Sequence, residues 1–286
     1  MEGSQIQLTT KPSATLHISY CPHFPGDTDN PLRDVLVVFL NGLVLPQASW
    51  NNATQHLITF HKTTNLPLPT LLSYDRFGQG TSDPDPTDPP STPYGHDALT
   101  VVADLHQLLT QLSHDRLNRD LDSLRLILVG NSIGCPLARL YAAAHPGFVV
   151  AFLFLDSMMA NTDFVSLLPD PESSSFDEGT LPPDVTADDV RHARTQIRSF
   201  FHPTLPNREG FDRRYLARQL PLADQPALPA GPGGREPMLI VVGHDPETFA
   251  EQSEAVSTIP FSSPLSPDEP GRRISRDDSF KLRTQQ

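Results

Sequence analysis

A doubly wound α/β sheet is the fold class this sequence predicts, and three observations predict it. Continuous apolar runs at 35–40, 126–129 and 149–155 suit strands covered on both faces. Amphipathic helical patterns lie between them, and stretches rich in Gly, Pro and Asp separate the two kinds of element. Strands that alternate with helices specify a mostly parallel sheet with right-handed crossovers and a helical layer on each face.

The elements follow in order. Residues 14–20 alternate as a half-buried strand does, and 35–40 form the first fully covered one. After Ser49, a plausible N-cap, Trp50, Ala53, Leu57 and Phe60 recur at helical spacing until Pro67 and Pro69 break the pattern. A short strand at 71–74 runs into a Pro/Asp-rich loop over 83–93. Ala98, Val101, Val102, Leu105, Leu108, Leu109 and Leu112 then mark one helical stripe. The strand at 126–129 leads into a helix over 133–145, where Pro136 is tolerated in the first turn, and 149–155 is the next strand.

Between 158 and 236 the rhythm changes to many prolines and two amphipathic helical patterns, which reads as an insertion into the core. One helix starts at Thr186, whose spacing to Asp189 makes a capping box; the other runs near 211–220. The core resumes with a strand at 238–242 and a short helix over 247–255. The predicted organisation is therefore core at 1–157, a helical lid at 158–236, core again at 237–255, and a disordered tail at 256–286.

Composition removes several function classes. A net charge of -13 disfavours nucleic acid and anionic membrane as partners, since both reward basic patches. No stretch approaches the roughly 20 apolar residues of a membrane span, and the polar N-terminus lacks a signal peptide's apolar core. With only Cys21 and Cys135, a reducing compartment is favoured and the cytoplasm is the expected location. The histidines show no metal-ligand spacing and no glycine-rich phosphate loop occurs, so neither a metal nor a cofactor is expected. Arg272-Arg273-Ile274-Ser275 has the form of a basophilic kinase site, although a basic stretch in a tail is usually only solvated.

The chemistry-bearing motif is Gly130-Asn131-Ser132-Ile133-Gly134. Two glycines around a serine arise easily by chance, but here a strand precedes and a helix follows. Ser132 thus falls in a tight strand-to-helix turn, where the glycines spare a collision as the two elements close. A helix N-cap serine is the competing reading.

With Phe39-Leu40-Asn41-Gly42-Leu43, the loop 74–83, the Ser132 turn and Ile240-Val241-Val242-Gly243-His244-Asp245-Pro246 in that order, the chain resembles the α/β-hydrolase family over about 35–255. Within it, the similarity leans toward a fungal subgroup. The resemblance implies a serine hydrolase acting on a small, apolar ester or related acyl compound through an acyl-enzyme. Ser132 would be the nucleophile, and the amides of Leu43 and Ile133 the oxyanion hole. It leaves two candidates for the acid: Asp245, after the late strand, and Asp156, at the end of the strand that follows the nucleophile.

The base is where the pattern fails, because the family order is Ser, acid, His, with the His after a final strand. No histidine follows Asp245; His244 reads as a turn residue, His202 lies in the insertion, and His96, His106 and His114 read as solvated positions on or near one helix. The sequence therefore predicts an incomplete triad: an esterase-like enzyme with its C-terminal strand and histidine missing, a non-catalytic ligand-binding homologue, or a truncated gene product.

Overall fold

The computed structural model describes residues 1–22 and 29–245. The chain divides into two units, Met1–Gly243 and His244–Gln286. In the second, the described residues are His244 and Asp245, both exposed. The helix expected over 247–255, the tail over 256–286 and the basic Arg272–Ser275 stretch lie outside the described residues.

The first unit is a seven-stranded sheet in the order β1-β2-β4-β3-β5-β6-β7. Strands β3 (Val35–Leu40), β4 (Thr70–Tyr74), β5 (Arg125–Asn131), β6 (Val149–Leu155) and β7 (Met238–Val242) run parallel. β1 (Glu2–Leu8) and β2 (Lys11–Cys21) form an antiparallel hairpin that joins the sheet through β4. This is the predicted mostly parallel α/β sheet with flanking helices and a helical, lid-like insertion.

Two apolar layers cover it. On one face α2 (Ala98–Leu117) and α3 (Gly134–Ala144) pack on Leu36, Val38, Leu126, Leu128 and Phe152. On the other, α1 (Asn51–Thr63) lies against a smaller cluster that holds Val35, Val37, Phe39, Trp50 and Leu71. Alternate residues of β3 thus serve opposite layers, which explains its unbroken apolar run.

Several expectations shift. β1 escapes detection because its partner, not its composition, makes it a strand: most of it is exposed, and only Leu8 is buried. Ser49 lies inside a 3-10 turn, Gln47–Trp50, instead of capping α1. The insertion carries α4 (Ala187–Phe201), with the Thr186–Asp189 capping box in place. Its second helix is only α5 (Leu216–Gln219), because 211–213 bridges to the core: the Asp212 amide donates to the His96 carbonyl at 2.8 Å.

The expectation that the sheet lacks its C-terminal strand is corrected: the strand predicted at 238–242 is that strand, β7, paired with β6 from Ala151↔Met238 to Leu155↔Val242. Among the described residues the strand is an apolar edge whose five residues are all exposed. Among the described residues no helix is long and apolar enough to cross a membrane.

Candidate functional site

Two constructions at the C-terminal ends of the strands carry chemistry. The first is the turn between β5 and α3. Ser132 has φ +51°, a left-handed conformation that costs a non-glycine residue about 1 kcal/mol or more. Its amide donates to the Leu155 carbonyl at 3.1 Å, and its carbonyl accepts from Cys135 at 3.1 Å. A Cβ on Gly130 would stand 2.7 Å from the Cys135 nitrogen, and one on Gly134 would run into the Leu40 carbonyl oxygen. Strand and helix therefore close only because both positions lack side chains.

The loop after β3 lies against this turn, since a Cβ on Gly42 would come within 2.9 Å of the Asn131 side-chain oxygen. Leu43 is half-buried there and Ile133 is buried. Of the two expected acids, Asp156 follows β6 at φ +48° and its amide donates to the Val242 carbonyl at 2.8 Å. Asp245 belongs to the second unit.

The second construction is one that the sequence reading missed. His96, expected to be solvated, is 5% exposed. Its Nδ1 lies 3.0 Å from Asp88 Oδ2 and 3.8 Å from Asp85 Oδ2. Phe211, from the insertion, stacks on the ring with centroids 6.0 Å apart and planes at 7°. Nε2 is buried and, among the described residues, has no hydrogen-bond partner. His96 lines a cavity of about 10 Å³ together with Leu16, Tyr74, Arg76, Phe77, Val101 and Asp104. That volume is close to what one water needs.

Lys11 ties this cluster to a third carboxylate. Its Nζ reaches Asp85 Oδ2 at 2.5 Å and Asp104 Oδ2 at 2.7 Å. Burial works against the ammonium, but the two carboxylates outweigh it and raise the Lys11 pKa. Burial likewise raises Asp104 above the ordinary carboxylate range, whereas at Asp85 the bonds from Lys11 and Thr87 overcome burial and lower it. Of the two carboxylates, Asp104 is the readier to hold a proton.

Asp85, Asp88 and His96 each offer a ligand atom, all within 4.8 Å of one another, so the trio can hold a metal ion. The Lys11 ammonium already supplies positive charge at Asp85. The remaining histidines behave otherwise: His106 and His145 stack at 3.7 Å beside Tyr141, and the His114 side chain is 81% exposed, as expected. A larger cavity, of about 550 Å³, opens where 157–161 meets 220–228 and the apolar side chains Phe154, Leu239 and Val241. Among the described residues, its charged lining groups are Arg139 and Asp224.

A sequence model described as "Alpha/beta hydrolase family" matches residues 37–272. The chain belongs to that family. No curated protein matches it. Among solved structures it is similar to epoxide hydrolase A from Mycobacterium thermoresistibile, with 14% identity, 90% of this chain and 96% of that one covered, and a TM-score of 0.46. A putative lipase from Acinetobacter baumannii covers 91% of this α/β-hydrolase and 90% of itself, with 16% identity and a TM-score of 0.43. These scores are low, and membership rests on the sequence match.

The assembled cluster corrects the functional expectation of an ester-attacking Ser132 nucleophile with its histidine missing and its core truncated. Instead a histidine is assembled with two carboxylates, at Asp85, Asp88 and His96. The family match also runs to residue 272, beyond the 255 expected. The incomplete triad, the pseudoenzyme and the ligand-binding homologue rested on the missing histidine and the truncated product also on the missing strand, and the assembled cluster and β7 overturn them. The family order places the base downstream of Ser132, whereas His96 lies upstream of it. The signal available was the run of aspartates at 83–88 followed within ten residues by His96.

Proposed function

We propose that this α/β-hydrolase hydrolyses a small molecule with water as the attacking group and His96 as the residue that moves the proton. One observation carries the reading: Nδ1 is bound by Asp88 while the buried Nε2 has no hydrogen-bond partner among the described residues. An imidazole that donates Nδ1–H to a carboxylate keeps its lone pair on Nε2. It can take a proton from water there while the carboxylate stabilises the imidazolium. The hydroxide formed attacks the electrophilic carbon, and the same proton returns to the leaving oxygen. Asp85, held by Lys11, adds negative charge on the Nδ1 side.

The turn at Ser132 enters this reading as the polar end of the substrate site. Its hydroxyl, with the amides of Leu43 and Ile133, is suited to hold a substrate oxygen as charge develops. Asp156, after β6, is the proposed acid that orients this end, and Asp245 lies in the second unit. The insertion is proposed as a lid over a largely apolar substrate. Free thiols at Cys21 and Cys135 favour a reducing, cytoplasmic setting.

The test is His96→Gln and Asp88→Asn, assayed against a panel of small hydrolysable compounds that includes epoxides and esters. Turnover by the folded protein should fall by about 10²-fold or more in the first variant. Unchanged turnover in a folded His96→Gln protein would end the proposal.

A further inference from the structure

We infer that Glu209, far along the chain in the insertion, is a positioning residue that sets the backbone of 41–44 and ties it to the His96 cluster. This rests on the proposed roles of the Leu43 amide and of His96. The Glu209 side chain is 1% exposed and that of Arg76 is 3% exposed. Arg76 donates to Glu209 Oε2 through Nε at 3.1 Å and Nη2 at 2.9 Å. Oε1 also accepts from Gln79 Nε2 at 3.0 Å and from the Val44 amide.

What marks the pair is where its other bonds go. Arg76 donates through Nη1 to the Asn41 carbonyl at 2.8 Å and through Nη2 to the Gly42 carbonyl at 3.0 Å. Gln79 donates to the Gly42 carbonyl as well, at 2.9 Å. The Leu43 peptide is thereby gripped on both sides, by carbonyls before it and by the Val44 amide after it. Val44 has φ +53°, which a β-branched residue avoids unless its surroundings impose it. The bond from its amide to Glu209 is part of what imposes it.

The same strand of insertion reaches the second construction. A Cβ on Gly78 would meet the Glu209 backbone carbonyl, so the strap lies directly on the loop after β4. One residue on, the Gly210 carbonyl accepts from the Gly95 amide at 2.7 Å. Phe211 then stacks on His96, and the Asp212 amide donates to the His96 carbonyl. A lone structural ion pair needs none of this, since apolar residues of like volume serve stability as well or better.

The experiment compares Glu209→Gln, Glu209→Asp and the double variant Arg76→Met/Glu209→Met, read by amide hydrogen exchange and by kinetics on the full chain. The double variant guards against unfolding, because it leaves no unpaired buried charge. In it, exchange over 41–47 should quicken about tenfold or more while 125–131 stays protected. kcat should fall more than KM rises, and Glu209→Asp should recover part of both effects. Unchanged exchange over 41–47 in a cooperatively folded double variant overturns the inference. If the parent protein turns over nothing in the panel, the proposed function fails, and the exchange measurement still decides this inference.

Discussion

The Ser132 turn and the His96 cluster follow strands of one sheet, yet they are built in opposite ways. The turn is made of five consecutive residues and depends on missing atoms: two glycines leave room, and one serine accepts a left-handed backbone. The cluster gathers residues 11, 85, 88, 96, 104 and 211, and it depends on charges that are present and paired. Adding matter should break the first. Removing a partner should break the second.

Substitutions can break that contrast or sharpen it. Gly134→Ala has the largest expected effect, because its methyl meets the Leu40 backbone and not a side chain that can move. A loss of about 4 kcal/mol in denaturant unfolding is expected. A neutral result would show that the turn is looser than described.

Lys11→Met comes next, with a loss of about 3 kcal/mol, because it leaves Asp85 and Asp104 buried and facing each other without the ammonium. Adding Asp85→Asn should recover part of that loss, whereas it should do nothing for Gly134→Ala. Ser132→Gly should move the other way, stabilising by about 1 kcal/mol as the strain at φ +51° is relieved.

A pH titration probes burial away from both constructions. Burial lowers the pKa of His106, and burial with the neighbouring His106 lowers that of His145. The unfolded chain then binds more protons than the folded one as pH falls below about 6.5. Stability should be complete above that value and decline below it, and His145→Gln should flatten the decline in thermal melts. The smallest effect belongs to Asp34→Asn. Its bond to Arg125 at 2.7 Å is partly exposed, so a loss within about 1 kcal/mol is expected.

The contrast also explains what was legible. The turn around Ser132, the strands at 35–40, 149–155 and 238–242, and the Thr186 cap could all be read because each is a pattern over neighbouring residues. β1 could not, because its exposed sequence becomes a strand only through its register with β2. The second helix of the insertion is shorter than its apolar pattern predicts because 211–213 spends its hydrogen bonds on the core.

By itself, the sequence determined the α/β class, the order of the central elements and the strained serine between its glycines. Local sterics and periodicity act within a few residues, so the chain order displays them. The tertiary structure alone decided that His96 is buried against Asp88, that Lys11 serves two carboxylates, and that Glu209 grips the loop beside Leu43. Those contacts join residues as many as 165 positions apart. Only folding removes water from them, and that desolvation turns ordinary charged side chains into a site.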